Sequence, residues 1–460
     1  MRTTRSTWRR SGGSSVRSRR PAHRCRVNRA ASASLLAGLA LAALALAVAP
    51  VRAFATPRGG WRGVHFNPQV AADPHFPWLL LYAPHRDAVR SALRELVREA
   101  RLNLVSVFVM IPHSLRTPGR GNRVGERLED WANLAYLDNV AAFVDDCHAA
   151  GLSVELDLVD NRWVPHTVDP DNHIGKPGNP WWPVADQNPW EEAAAWYAQM
   201  IAGIEARTRH PEAIAFWCMM GNYTHGAAEP VLWSDAGRPE VLHWTERFVK
   251  AVWPAFRRAG RRPKAAPILL PIFARGGYWE GRSPEERLSG FTHLKRWLVD
   301  DLRLPPDLWV MSAYPFCDPA PDGVRYLERI VRILGKGSAR RLLSTDLKSE
   351  GHDLSGTILD AERRPGAERL RWQLEKCREY GFAGWWMWAY QDTPSDRTGL
   401  RGRDGAWKRD LLDIVRRAGR QGRAAAMASG LARPPPAACR SCASAVQATG
   451  VAAARPASAL

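Results

Sequence analysis

Acidic residues are missing from both ends of this 460-residue chain, and that absence decides how its charge is read. Residues 1 to 30 hold ten Arg and residues 420 to 460 hold five, with no Asp or Glu in either stretch. Taking those fifteen from the formal net charge of +19 leaves +4 for everything between. The basicity belongs to the ends, which argues against a nucleic-acid-binding face on the body of the protein. Cysteine is scarce as well, at seven residues. Cys439 and Cys442 form a C-x-x-C in the tail, but no second Cys pair or His pair completes a zinc set, and no thioredoxin-like unit surrounds them. Cys218 and Cys317 fall at the expected ends of the fourth and sixth strands, Cys147 and Cys377 in expected helices, and spacing assigns no disulfide. A Gly-rich phosphate loop after the first strand is absent, which argues against an open dinucleotide-binding sheet. The stretch DNRWVPHTVDPDNH, residues 160 to 173, lacks the D-x-[DN]-x-[DN]-G spacing of a calcium loop. No cofactor and no metal are expected.

The apolar run from Ser34 to Val51 follows the Arg-rich start and precedes Ala53-Phe54-Ala55, a small-x-small cleavage signature. It is short for a spanning helix, so residues 1 to 55 read as a secretory signal, with an uncleaved anchor as the alternative. Arg19-Arg20 suggests twin-arginine export, but Pro21 and His23 stand where an apolar pair is expected. The expected destination is the periplasm or the outside, with membrane contact only through this segment.

Between the ends, short apolar strands alternate with amphipathic helices. The strands are expected at Arg62–Phe66, Leu104–Ile111, Ser153–Leu158, Ala213–Met219, Pro267–Phe273, Leu308–Ala313, Arg341–Thr345 and Ala383–Ala389. Helical spacing marks Arg86–Ala100, Leu134–Ala150, Pro189–Thr208, Val241–Ala259, Glu285–Leu302, Val324–Leu334, Glu368–Tyr380 and Lys408–Arg417. Apolar strands separated by helices imply a parallel sheet with both faces covered, and eight such units imply a (β/α)8 TIM barrel. The expected organisation is one barrel over residues 56 to 419, then a disordered Ala-, Arg- and Pro-rich tail from 420 to 460. Long segments at Pro112–Asp130, Val159–Trp190 and Arg275–Pro284 follow strands, and so lie on the carboxyl face where such barrels build sites.

The stretch IAFWCMMGNYTH, from Ile214 to His225, is an apolar run ending at Gly221-Asn222. It resembles strand four of the retaining (β/α)8 glycosidases, the clan that includes cellulase-type family 5 enzymes. In that clan the strand ends in Asn-Glu, and the Glu is the general acid/base; here Tyr223 follows Asn222. Strand seven, RLLSTDLKSEG, places Asp346 at the position of the clan's nucleophilic Glu, one methylene shorter. Strand six keeps Tyr314, and GWWMWAYQD supplies Trp385, Trp386 and Trp388 where the clan carries a sugar-stacking Trp. Ser106, Val159 and Ser312 replace the clan's Arg and two His.

The resemblance implies hydrolysis of O-glycosidic bonds, which needs two carboxyl groups about 5–5.5 Å apart in retaining enzymes. Asp346 is the implied nucleophile or base, with Asp160, Glu350 or Tyr223 as its partner. Asn222 and Tyr314 would position substrate, and Trp388 would form the floor. Trp386, His225 and Trp279 are further candidate substrate contacts, and Glu229 also follows strand four. Asp157, three residues before Asp160, reads as a structural residue inside the barrel. The chain's 21 Trp include Trp163, Trp181, Trp182, Trp190, Trp233 and Trp279 in or beside the long loops. Flat indoles there stack on pyranose faces or cover the barrel mouth. Trp196, Trp253, Trp297 and Trp372 read as helix packing. A glycoside hydrolase, a carbohydrate-binding barrel without turnover and a protein-binding scaffold all remain compatible with these residues.

Overall fold

The computed structural model describes residues 57, 59–68, 78–117, 124–159, 189–219, 239–268, 288–312, 321–335, 337–347, 366–393 and 397–428. Within them β1 (Trp61–His65), β2 (Leu104–Met110), β3 (Ser153–Val159) and β4 (Ile214–Met219) run into β5 (Lys264–Ile268), β6 (Leu308–Ser312), β7 (Leu342–Leu347) and β8 (Gly384–Met387). Each pairs in parallel with its sequence neighbour, and β1 also pairs with β8, so the sheet closes into a barrel. This is the (β/α)8 fold that the alternation of strands and helices implies.

The surrounding helices are α1 (Tyr82–Glu95), α2 (Leu134–Ala150), α3 (Pro189–Arg207), α4 (Pro239–Arg258), α5 (Ser289–Lys295), α6 (Pro321–Leu334), α7 (Gly366–Glu379) and α8 (Arg409–Ala428). Single π-helical turns extend α1 over Leu96–Ala100 and α5 over Arg296–Asp301. α2 shows how local sequence sets both ends. The Asn133 side chain accepts the Tyr136 N–H at its start, and Gly151 at φ 82° closes it in a conformation that costs glycine little. Its inner face buries Val140, Phe143 and Val144 against strand residues such as Val107 and Leu156. Full burial of each such side chain contributes about 1.5–3 kcal/mol. Trp196, Trp253 and Trp297 are fully buried and Trp372 is partly buried against the same core, as helix packing requires. No helix among the described residues is long and apolar enough to cross a membrane.

Many element boundaries shift by one to a few residues from those the sequence suggests, and two of the shifts have a clear cause. β5 begins at Lys264 rather than Pro267, because the Lys264 N–H donates to the Asp307 carboxylate (2.8 Å) and its carbonyl accepts from Asp307 N–H (2.9 Å). A lysine that is only 1% exposed is invisible to a hydropathy reading. α8 continues past Arg417 to Ala428, so the first residues assigned to the tail are helical. Ala and Arg are strong helix formers, and this short Ala/Arg-rich stretch follows that propensity.

Side chains inside the barrel follow from contacts across it. Trp61 on β1 meets Phe216 on β4 with ring centroids 6.5 Å apart, and Phe216 lies 6.3 Å from Trp386 on β8. β4 is a neighbour of neither β1 nor β8, so these rings meet through the interior. Glu155 is the register partner of Phe216 and Ser106 that of Glu155. Parallel register and strict alternation therefore put Ser106, Phe108, Glu155 and Asp157 inside, while Val105, Val107, Leu156 and Leu158 face the helices.

Candidate functional site

At the carboxyl end of the barrel, β1 finishes at His65 and β8 is followed by Trp388. Their rings stack with centroids 4.4 Å apart and planes 17° from parallel. Phe108 on β2 closes on the other side, 4.2 Å from His65 and 5.9 Å from Trp388. All three are buried to within a tenth of their surface, and Met110 packs against the Phe108–Trp388 cluster. The result is a continuous aromatic floor just beneath the strand ends.

The segment after Trp388 is held firmly. Tyr390 N–H donates to the His65 carbonyl (2.8 Å) and to the Asn67 side-chain oxygen (3.0 Å). Asn67 also accepts from Gln391 N–H (3.2 Å) and donates to its carbonyl (3.1 Å). Farther along, Arg401 donates to the Tyr390 hydroxyl (2.6 Å), pairs with Glu95 (3.2 Å) and lies over Trp407. Lys408 and Gly399 N–H bind Asp392. These bonds fix the backbone that carries Trp388, which is what a preorganised floor requires.

β7 approaches the floor through a bulge. Its register with β8 passes from Ser344↔Trp385 to Leu347↔Met387, so Thr345 and Asp346 together oppose the single residue Trp386. Bulges of this kind re-aim the chain at barrel rims. The next residue, Leu347, accepts a hydrogen bond from Trp388 N–H at 3.1 Å. The Asp346 backbone is therefore one residue from the strand that bears the aromatic floor. The Thr345 hydroxyl donates to the Met311 carbonyl (3.3 Å), tying the bulge to β6.

Beside the floor lies a small acidic cluster, with Asp157 the register partner of Phe108 and Glu155 one pleat deeper. Glu155 and Asp157 on β3 and Cys218 on β4 are all buried, with donor atoms within 4.8 Å of one another. Asp157 thus sits inside the barrel, as its position in the strand suggests. Burial pushes the Cys218 thiol well above the ordinary range, and the neighbouring Asp157 and Glu155 push it the same way. A thiol so disfavoured as thiolate is no nucleophile. Cys147 and Cys377 are likewise buried and free.

Of the residues singled out from the sequence, Asp346 lies in the β7 bulge and Trp388 in the floor. Trp386 sits one pleat deeper, facing Phe216. Tyr223, Asp160, Glu350, Asn222, Tyr314, His225 and Trp279 lie outside the described residues. Ser106 is buried on β2, Val159 ends β3 and Ser312 ends β6. His65, Phe108 and Asn67 were missed. His65 and Asn67 stand in GVHFN and Phe108 in LVSVFVM; alternation puts His65 on the same side as Gly63, but a His at the end of a first strand has no distinctive spacing.

No protein-family model and no curated protein matches the chain. Solved structures do. A GH5_18 protein from Bifidobacterium longum subsp. longum superposes with a TM-score of 0.52 at 14% identity, covering 79% of each chain. A GH5_18 protein from Streptomyces cattleya, solved with GlcNAc, gives 0.51 at 15% identity over 80% of this chain and 81% of that one. The β-glycosidase of Thermosphaera aggregans gives 0.50 at 13% identity over 80% and 97%. This chain therefore has the (β/α)8 glycosidase-like fold of these glycoside hydrolases.

Proposed function

We propose that this protein is an exported glycoside hydrolase that cleaves O-glycosidic bonds of an oligosaccharide or polysaccharide. The observation that carries the reading is the meeting of the β7 bulge, bearing Asp346, with the buried His65–Phe108–Trp388 floor. It lies at the barrel face where (β/α)8 proteins do their chemistry. Aromatic rings at a barrel mouth offer apolar area to the C–H face of a pyranose, and glycoside cleavage needs a carboxylate nucleophile beside that ring. Asp346 takes that role, and Asp160, Glu350 or Tyr223 donates the proton to the leaving oxygen. Asn222 and Tyr314 position the sugar, with His225 and Trp279 as outer contacts. Export rests on the leader in residues 1 to 55.

Tyr223 favours a second reading, a carbohydrate-binding barrel without turnover. An unperturbed phenol titrates near pH 10 and is a poor proton donor at neutral pH. The experiment is a turnover screen over nitrophenyl glycosides and oligosaccharides, N-acetylglucosaminides included, for the protein and its Asp346→Asn variant. Hydrolysis lost in the variant supports the enzyme. Turnover unchanged in the variant removes Asp346 from the mechanism. No turnover, with glycan affinity equal in both proteins, establishes the binding barrel in its place.

A further inference from the structure

On the opposite face of the barrel, three metal-ligating side chains converge outside the site just described. His148 is in the last turn of α2, and His210 and Glu212 flank Pro211 at the entry to β4. The two imidazoles are stacked, with centroids 3.8 Å apart and planes 10° from parallel. Glu212 Oε1 lies 3.0 Å from His210 Nδ1 and 3.7 Å from His148 Nε2. We propose that His148, His210 and Glu212 form a surface site for a divalent transition-metal ion of the zinc class.

Three features of the geometry point to it. Donors on a tetrahedral zinc, about 2.0–2.1 Å from the ion, stand about 3.3 Å apart, and the two observed separations bracket that value. Two imidazoles with one carboxylate and an open position are a borderline donor set, suited to zinc rather than to calcium or magnesium. The ligand-bearing segments are also held in place from beneath. Asp145, one turn before His148, accepts from Thr208 Oγ1 (2.6 Å), Arg209 N–H (2.9 Å) and His210 N–H (3.0 Å). Of the nearby cations, Arg209 is drawn to the same Asp145 at 3.1 Å, while Arg262 donates to the Glu212 main-chain carbonyl at 3.4 Å. The last turn of α2 adds carbonyl dipoles that favour a positive charge nearby. The donor lone pairs lie in the ring planes, so binding an ion must swing the two half-exposed rings out of their parallel stack until both nitrogens face it, which would clip α2 to the α3–β4 connection.

The test is zinc titration calorimetry on the full chain after treatment with EDTA, repeated on His148→Ala/His210→Ala and on Glu212→Gln. The expected result is saturable binding of one micromolar-range equivalent, weakened at least about 100-fold in the double variant and about 10-fold in Glu212→Gln. Glu212→Gln is isosteric and exposed, so it reports on the ligand set even where the double variant folds poorly. Cobalt provides a second readout, as visible absorption from imidazole-bound Co²⁺ that the variants lose. Absence of saturable zinc binding, or equal binding by wild type and both variants, would overturn the proposal.

Discussion

The imidazole of His65 lies flat against the indole of Trp388, joining the first and last strands of the barrel at the rim. Neither ring is a surface ornament, since both are buried and Phe108 completes the stack. The pair couples barrel closure to the floor on which a sugar would rest.

Trp388→Ala should therefore lose both glycan affinity and stability, the latter by about 3–5 kcal/mol for a buried Trp. Trp388→Phe separates the two effects, since it keeps a ring against His65 but offers a smaller platform. Thermal unfolding of Trp388→Phe close to wild type, with glycan binding clearly weakened, is the expected outcome. Equal binding by Trp388→Phe and Trp388→Ala would mean that no sugar rests on this ring.

Barrel closure depends on a close approach at Gly384. A Cβ there would stand 2.4 Å from Trp61 Cβ and 2.5 Å from the Trp61 carbonyl oxygen. Gly384→Ala should cost at least about 1–3 kcal/mol, the usual range for overpacking, because the opposing atoms include backbone. A melting temperature equal to that of wild type would show that β1 and β8 yield more easily than this contact implies.

The layout of strands and helices was legible because it depends on periodic apolar residues, which the helix-facing sides of β2 and β3 and the inner face of α2 supply. The β7 bulge was not, since no residue type in LLSTDL marks the register slip between Ser344 and Leu347. Lys264 escaped notice for a related reason: its burial is imposed by the Asp307 bonds and the Arg262 carbonyl, neither local in periodicity. Asp346 and Trp388 were recognisable only by resemblance. His65 lacked even that signal, although the fold places it beside Trp388.

Acid sensitivity should centre on Asp146. Burial pushes its carboxyl up, but hydrogen bonds from Arg86 (2.6 and 3.0 Å) and the Tyr82 hydroxyl (2.5 Å) outweigh this and hold it below its usual range. A carboxyl lowered in the fold contributes stability above its unfolded value, near 3.9, and loses it as pH falls through the lowered folded value. Arg86 is 40% exposed, so the contribution is nearer that of charged hydrogen bonds, about 1.5–3 kcal/mol, than that of a buried ion pair. Asp146→Asn should thus melt lower than wild type at pH 7, with the gap closing below about pH 4. A gap independent of pH would assign the loss to packing alone.

Lys264 gives the opposite limb. Burial lowers its ammonium to about 8, against about 10.4 for an unfolded Lys. Between those values the unfolded chain binds the extra proton, so stability rises with pH across that window, and below it the full burial cost is present. Lys264→Met should be stabilising at pH 7 and should flatten the profile between about pH 8 and 10.4. Destabilisation at pH 7 would show that the Nζ bond to the Arg262 carbonyl outweighs the cost of burying the charge.

The most direct test of the proposed activity is a crystal structure of the protein soaked with oligosaccharides, from which the position of the sugar relative to Asp346 is read. The expected result is a pyranose over the His65–Phe108–Trp388 floor, the Asp346 carboxylate about 3–3.5 Å from its anomeric carbon and a second carboxyl within about 5–10 Å. A sugar bound away from Trp388, or an Asp346 carboxylate turned from the ring with no second carboxyl in reach, would contradict it.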